Sequence, residues 1–475
     1  MNKVIKNVAY QLVYQISRII IPIITIPIVS RVLGAVNLGI YNYYYSIVSY
    51  FILFAGLGIT LYGSREIAIV KSDNEKLSQV FIELFIMKAL VTSIVLFIFI
   101  GSVYHFNTPK YLLLFSIAIL SVLFDVSWYF MGVEDFQKFS LINITSQVLV
   151  FILIIFFIRD KNDLTLYIIF QSIGLLLPNL ISILLLPKGL FTSSVKIRNI
   201  FKHFINSLGY FFPQIAITLY TTLNKTIIGL FLDTTSVAYY SNAIIVNSVI
   251  ITVITTVDTV LLPRMSSLFS QNRKDDMFKW LKNSLNIQLF FSIGAMFGVL
   301  SIYNRFVPFF FGEEFIFIIK LIPLLSSLIV IVPVGMSISR QFLLPQGNTK
   351  DYFVSIVSGA IINIGLNIFL LPQLGVVGVV LSNIFAELFV TIVRLKPLIN
   401  EYGLPFNFRD VVVYTLCGIS VLGTGFINNF IIHSNFLFII FQTFVGASIY
   451  FLLTYIVGVN PVKKILNKST DDNQI

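Results

Sequence analysis

The sequence predicts an all-α polytopic membrane protein of about fourteen transmembrane helices, arranged as two pseudo-symmetric six-helix lobes around a central cavity with two further helices at the C-terminal end. Three observations point there. Fourteen apolar stretches, each near or above the ~20 residues that carry a helix across a bilayer core, run almost end to end. Hydrophobic residues make up 57% of the 475 and charged residues only 11%, where a soluble domain carries about a quarter charged. Polar residues of the first two stretches recur 199 residues later.

The first stretch, Val8–Val29, is too long for the apolar core of a cleavable leader and lacks a small-residue cleavage site, so it is expected to stay as a helix. Arg31 marks its outer end. Gly39–Tyr62 returns to a side that holds Arg65, Lys71 and Lys76, and Val80–Tyr104 leaves it for the side of Lys110. Tyr111–Met131 comes back to Lys138, Phe136–Ile158 crosses to Arg159 and Lys161, and Leu164–Leu186 ends beside Lys188. Leu208–Leu232 and Ser236–Leu262 follow, closing on Arg264, Arg273, Lys274, Lys279 and Lys282. Leu281–Tyr303 runs out to Arg305, and Phe315–Met336 returns to Arg340 and Lys350. Tyr352–Leu371 and Leu374–Leu395 end at Arg394 and Lys396. Val411–Ile432 and Phe436–Val459 complete the set, with Arg409 before them and Lys463, Lys464 and Lys468 after. One side, which also receives Lys3 and Lys6, thus gathers most loop Lys and Arg, while the other keeps Arg31, Lys110, Arg159, Lys161 and Arg305. By the positive-inside rule the rich side, with both termini, is cytoplasmic. Dropping one span would scramble the asymmetry. The formal net charge of +11 is therefore a topology signal, and no nucleic-acid partner is expected.

At an offset of 199 residues Gln15 meets Gln214, Tyr41 meets Tyr240, Ser49 meets Ser248, Thr60 meets Thr259 and Arg65 meets Arg264. Hydropathy extends the match, pairing spans one to six with seven to twelve. Both copies enter the membrane from the same side, which makes the repeat parallel, about an axis along the membrane normal. The expected layout is an N-terminal lobe over 1–186, a cytoplasmic amphipathic linker over 187–207, a second lobe over 208–395, and two extra helices with a short cytoplasmic tail over 396–475. The linker places Lys188, Lys196, Arg198 and Lys202 beside Phe191, Ile197, Ile200, Phe201 and Phe204, an interfacial pattern.

Polar stripes mark the candidate site. In the first span Gln11, Gln15, Arg18, Pro22 and Thr25 fall on one helical face, and the seventh repeats the device with Gln214, Thr218, Thr221 and Lys225. The eighth adds Ser248, Thr252, Thr255 and Thr259, and the second adds Asn42, Ser46 and Ser49. A charge at mid-bilayer costs about 2.5–3.5 kcal/mol on insertion scales, so Arg18 must face a watery cavity or a partner such as Asp125 or Glu387. Arg31, Lys225 and Lys320 add positive charge toward the outer half or else snorkel to the interface, and a cationic lumen suits an anionic cargo. Asp125 and Glu387, the latter one turn after Asn383, are the candidates for ion coupling. Glu83 and Asp258 lie toward cytoplasmic helix ends, where interfacial residence or pairing with Arg264 is expected.

Enzyme chemistry is not in view. The chain has no GxxxxGK[ST] phosphate loop and no GxSxG nucleophile motif, and His105, His203 and His433 offer no metal-ligand spacing. The outer connections are too short to carry a glycosyltransferase or polymerase site. No cofactor, metal site or catalytic residue is expected. The single cysteine, Cys417, sits within the thirteenth span and forms no internal disulfide.

Asn7, Pro22, the run Pro27-Ile-Val-Ser-Arg31-Val-Leu33-Gly34 and then Leu38-Gly39-Ile-Tyr41 resemble the opening signature of the Wzx-type polysaccharide flippases, within the multidrug/oligosaccharidyl-lipid/polysaccharide exporter superfamily. Gly56-Leu-Gly58, Gly63-Ser-Arg65-Glu66, Asp125-Val-Ser-Trp128 through Glu134, Ala238-Tyr239-Tyr240-Ser241, Pro345-Gln-Gly347, Asn363 through Asn367, and Gly375-Val-Val-Gly378 through Glu387 are similar in the family's order over residues 5–395. The resemblance implies two six-helix bundles facing a cavity. It also implies transfer of undecaprenyl-pyrophosphate-linked oligosaccharide from the inner to the outer leaflet of a bacterial plasma membrane by alternating access, for surface polysaccharide of capsule or O-antigen type. Polymerase and glycosyltransferases of that pathway are the implied partners, beside membrane lipid. The family offers no strict site motif, so the assignments rest on the stripes: Arg18, Arg31, Lys225 and Lys320 toward pyrophosphate, and Gln11, Gln15, Gln214, Thr218 and Asn224 toward sugar. An ion-coupled multidrug antiporter of the same superfamily would need an acidic lumen, against the sign of Arg18 and Lys225. A lipid II flippase shares the anionic head group, and the sequence does not separate it from the first reading.

Overall fold

The computed structural model describes residues 3–463 apart from 107 and 192–194, with the side chains at 3–6, 8, 9, 12, 110 and 220 also left aside. Lys464 and Lys468, and the side chains of Lys3, Lys6 and Lys110, lie outside the described residues. The chain forms sixteen α-helices with short 3₁₀ turns between some of them: α1 Lys3–Gly56, α2 Ile59–Val70, α3 Asn74–His105, α4 Ser116–Phe124, α5 Ser127–Gly132, α6 Phe136–Phe157, α7 Leu164–Leu184, α8 Ile197–Phe231, α9 Thr234–Ser270, α10 Lys274–Phe311, α11 Ile318–Leu325, α12 Leu328–Ile338, α13 Thr349–Leu374, α14 Val376–Tyr402, α15 Phe408–Ile431 and α16 Asn435–Ile456.

Among the described residues, twelve stretches are long and apolar enough to cross a membrane. Their first, Val13–Val70, spans 58 residues, about 87 Å of helix at 1.5 Å per residue and far more than one crossing of a ~30 Å core needs. It is two crossings. The break is Gly34, whose φ of 74° and ψ of 176° interrupt the helix in a conformation that only glycine adopts without strain. α8 is long enough to cross but is diluted by Gln214, Thr218, Thr221, Thr222, Asn224 and Lys225, which is why apolarity alone misses it. With those two additions the fourteen expected crossings are present. α4 and α5 share one of them across an extended Asp125, and α11 and α12 share another.

Caps sit where the sequence turns polar. Asp73 accepts from the N–H groups of Glu75 and Lys76 at the start of α3, Asp135 accepts from the Lys138 N–H at the start of α6, and Asn348, Asn407 and Ser434 open α13, α15 and α16. The 199-residue repeat is visible in these borders. The Gly34 break corresponds to the gap between α8 and α9, and the start of α3 corresponds to that of α10.

Contacts divide the chain into two compact units, residues 1–238 and 239–475. The dividing line falls beyond the expected lobe border at 186–208, because α8 packs into the first unit. It runs antiparallel along the second arm of α1: Phe211 meets Phe54, Thr226 meets Ser46 and Tyr50, and Gly229 meets Tyr43. A Cβ at Gly229 would overlap the Tyr43 ring, so only glycine admits this approach. Around these helices one core gathers Val48, Phe99, Phe115, Ile119 and Ile168, and another gathers Tyr62, Phe81, Trp128 and Phe130. In the second unit α10 is the common wall. Leu281, Leu285 and Leu289 pack with α9, α12 and α14, while Phe290, Ile293 and Phe297 pack with α15 and α16. Arg305 ties the far end of that pair, donating from Nε to Asn429 Oδ1 at 2.6 Å and from Nη2 to the Asn429 carbonyl at 2.7 Å.

Candidate functional site

The first arm of α1 has two open faces. Gln11, Gln15, Arg18 and Pro22 are exposed along one, and Val13, Ile16, Ile20 and Ile24 are exposed along the other, about half a helical turn away. Between them α1 is held to α6, where Tyr14 meets Phe139 edge-on at 5.6 Å and Ser17 Oγ donates to Gln147 Oε1 at 3.1 Å. The apolar face matches lipid. The polar face does not, and a mid-span guanidinium on it requires a watery space. Thr25 ends the stripe and is buried, its hydroxyl turned back to the Ile21 carbonyl.

α8 carries the second half of the site within the same unit. Gln214 and Thr221 are exposed, and Thr218 and Lys225 are half-buried on the same face. The adjoining residue Thr226 fixes this register, its hydroxyl lying 2.9 Å from Ser46 Oγ and 3.0 Å from Tyr50 Oη. Asn224, expected to meet sugar, is 1% exposed, so its amide belongs to the interior of the unit. Arg18 is exposed and its guanidinium stands 5.8 Å from the Tyr14 ring, at the outer range of a cation–π contact. Neither Arg18 nor Lys225 has a carboxylate within ion-pair distance among the described residues. Arg31 is exposed three residues before the Gly34 break. Lys320 and Glu387 belong to the second unit. Lys320 is exposed, with Nζ 5.6 Å from the Phe317 ring, and Glu387 is half-buried on α14 one turn after the buried Asn383.

Three expected pairings are replaced. Asp125 answers Lys88 rather than Arg18: Lys88 Nζ donates to the Asp125 carbonyl at 2.6 Å and to its Oδ2 at 2.9 Å. The exchange is local, since the extended backbone at Asp125 turns its carbonyl and carboxylate together toward α3, while Oδ1 accepts from the Ser127 N–H. Glu83 is 1% exposed rather than interfacial, accepting from Asn199 Nδ2 at 2.8 Å with His203 Nε2 at 3.4 Å. The Tyr62 hydroxyl joins His203 Nδ1 at 2.7 Å, so the start of α8 is docked on α2 and α3. Arg264 pairs with neither acid and lies 3.7 Å from the Trp280 ring. These partners stand far apart in sequence, and no helical period announces them.

Against known proteins the chain belongs to the polysaccharide biosynthesis protein family, whose model matches residues 4–269. It is similar to the putative O-antigen transporter of Escherichia coli (strain K12), at 22% identity over 400 residues that cover 82% of this chain and 95% of that one. Its fold is that of the lipid II flippase MurJ in an inward closed conformation, with a TM-score of 0.71 at 18% identity over 94% of this chain and 98% of the other. An inward-facing multidrug resistance transporter of the MATE family, in the MOP superfamily, matches with a TM-score of 0.65 at 14% identity over 82% of this chain and 96% of the other. The chain is a multi-pass membrane protein of the polysaccharide biosynthesis protein family.

Proposed function

We propose that this protein is a flippase that moves undecaprenyl-pyrophosphate-linked oligosaccharide from the cytoplasmic to the outer leaflet of a bacterial plasma membrane, by alternating access, for surface polysaccharide synthesis. The observation that carries the reading is the sign of the polar surface. α1 and α8 bring Arg18 and Lys225 into the bilayer region without carboxylates beside them, which favours an anionic head group. The opposed polar and apolar faces of α1 fit a cargo with a sugar–pyrophosphate end and a prenyl end. In this reading Arg18, Arg31 and Lys225 contact pyrophosphate, while Gln11, Gln15, Gln214 and Thr218 hydrogen-bond sugar. Both termini lie in the cytoplasm, and a polymerase consumes the delivered unit. The putative O-antigen transporter supports the polysaccharide cargo. A cationic-drug antiporter is disfavoured by the same charges.

The deciding measurement is the lipid-linked oligosaccharide content and surface polymer of cells with and without the gene. Accumulation of the undecaprenyl-linked unit on the cytoplasmic side, with loss of polymer, is the expected result. Normal polymer with new sensitivity to cationic dyes overturns it, and accumulation of lipid II instead moves the assignment to the cell-wall precursor.

A further inference from the structure

We infer that Asp258, in the second compact unit, is a buried proton-binding site. Its side chain is 0% exposed on α9, and Oδ1 accepts three bonds: from Gln288 Nε2 of α10 at 2.7 Å, from Ser337 Oγ of α12 at 2.8 Å and from Gln341 Nε2 at 2.6 Å. Oδ2 is buried with no hydrogen-bond partner. Gln341 lies in a π-helical turn, Ser339–Leu343, a distortion that recurs at functional sites.

Among the described residues no Lys, Arg or His stands within 4 Å of Asp258. The charged group whose field reaches it is Arg340 on the π turn, but that guanidinium donates from Nη1 to Thr259 Oγ1 at 3.0 Å. α10 faces the carboxyl with neutral Gln288 and α12 with neutral Ser337, while Ser284 of α10 bonds to Gln341. An unpaired buried carboxylate is costly, and the cheap remedy is a proton.

The surrounding groups suit a proton better than a metal ion. An alkali cation needs oxygens turned toward it, whereas both amides present N–H to Asp258. Gln288 Oε1 accepts from Ser337 Oγ at 2.9 Å, and Gln341 Oε1 from Ser284 Oγ at 2.7 Å. Ser337 also has one hydrogen for two acceptors, Asp258 Oδ1 and Gln288 Oε1. When Asp258 is ionised, the hydroxyl is drawn to the carboxylate. When a proton from water adds to Oδ2, the charge is neutralised and the hydroxyl is released to Gln288 Oε1. Proton occupancy thereby sets how firmly α9 is held to α10 and α12, since bonds to an ionised acceptor are the stronger ones. The site stands apart from the cargo assignment and adds a group through which a proton biases the second unit.

The test is infrared difference spectroscopy on the purified full chain in lipid nanodiscs, from about pH 9 to about pH 5, a range in which water-exposed carboxyls stay ionised. A protonated-carboxyl band that appears on acidification and is missing from Asp258→Asn is expected. Ser337→Ala, which removes a donor to the charged form alone, moves the midpoint of that band to higher pH by about one unit; it also serves if Asp258→Asn does not fold. Absence of any such band, its persistence in Asp258→Asn, or an unmoved midpoint in Ser337→Ala overturns the inference. So does a midpoint that follows sodium when NaCl replaces KCl, which would assign the site to an alkali cation. Because no cargo is involved, failure here leaves the flippase reading untouched, and failure of that reading leaves this one.

Discussion

Replacing Lys88 by alanine should destabilise the first unit more than any neutral deletion nearby. The ammonium is fully buried, and its two bonds to Asp125, at 2.6 and 2.9 Å, are its whole means of leaving water. Without it the Asp125 carboxylate keeps the Ser127 N–H at 2.9 Å but has no cation within 4 Å among the described residues. Removing one partner of a buried pair costs about 3–5 kcal/mol, against about 1 kcal/mol for a neutral hydrogen bond. Lys88→Met with Asp125→Asn removes both charges, and the new amide oxygen still accepts from Ser127. This double variant should recover most of the loss, because apolar or neutral replacements of buried pairs are often nearly neutral. Trp128 reports on the break directly, since its Nε1 donates to the Asp125 carbonyl at 3.0 Å. With Trp280 changed to Phe it is the chain's remaining indole. Equilibrium unfolding in mixed micelles, followed by that fluorescence, supplies the double-mutant cycle once Lys88→Met and Asp125→Asn are also measured singly. Equal losses in Lys88→Ala and the double variant would refute the stranded-charge argument.

Four further outcomes are expected. Arg18→Ala should abolish transport with insertion intact, and Lys225→Ala should weaken it less; lipid-linked oligosaccharide and surface polymer at matched expression are the readouts. Gly229→Ala, pressed against the Tyr43 ring, should cost about 1–3 kcal/mol, measured in the same micelle titration. Thr226→Val should lose the hydroxyl that serves Ser46 and Tyr50, at about 1 kcal/mol, with a smaller effect when Ser46→Ala is already present. The Lys76 side chain and N–H hold the Asp73 carboxyl below its ordinary range. Its stabilising effect on the first turn of α3 is therefore complete above the unfolded value of about 3.9 and lost as pH falls through the lower folded one. Protection of the Glu75 and Lys76 amides, relative to their intrinsic exchange at each pH, should fall only in that acidic window.

Most of the architecture was legible because bilayer physics writes it into local pattern. Fourteen apolar lengths, the Lys and Arg of alternate loops, and the polar stripe of α1 each depend on residues a few positions apart, so helical period and hydropathy find them. The two crossings on either side of Gly34 were legible, but not that helical turns continue right up to that one residue from both sides. The misses concern partners distant along the chain. Lys88 and Asp125 lie on different helices, and the unwound backbone that aims Asp125 at Lys88 leaves no mark in composition. Glu83 and Asp258 lie close to loops along the chain, a position that by itself favours the interface. Both are covered by neighbours instead: the start of α8 for Glu83, and α10 with the π turn for Asp258. Asn224 shares the polar stretch of α8 but turns inward, a rotation of one residue that polarity alone does not register.

The placement of α8 separates descent from assembly. By sequence it opens the second copy of a duplicated block, and by packing it closes the first unit, locked to α1 at Gly229 and Thr226. A chain cut at the inherited seam, in the linker before Ile197, would leave the first fragment with an unfilled groove along Tyr43, Ser46 and Tyr50. A cut at Leu232–Asp233 would leave that groove filled. Fragments meant to be expressed, swapped between relatives or reassembled should therefore be divided after the seventh crossing.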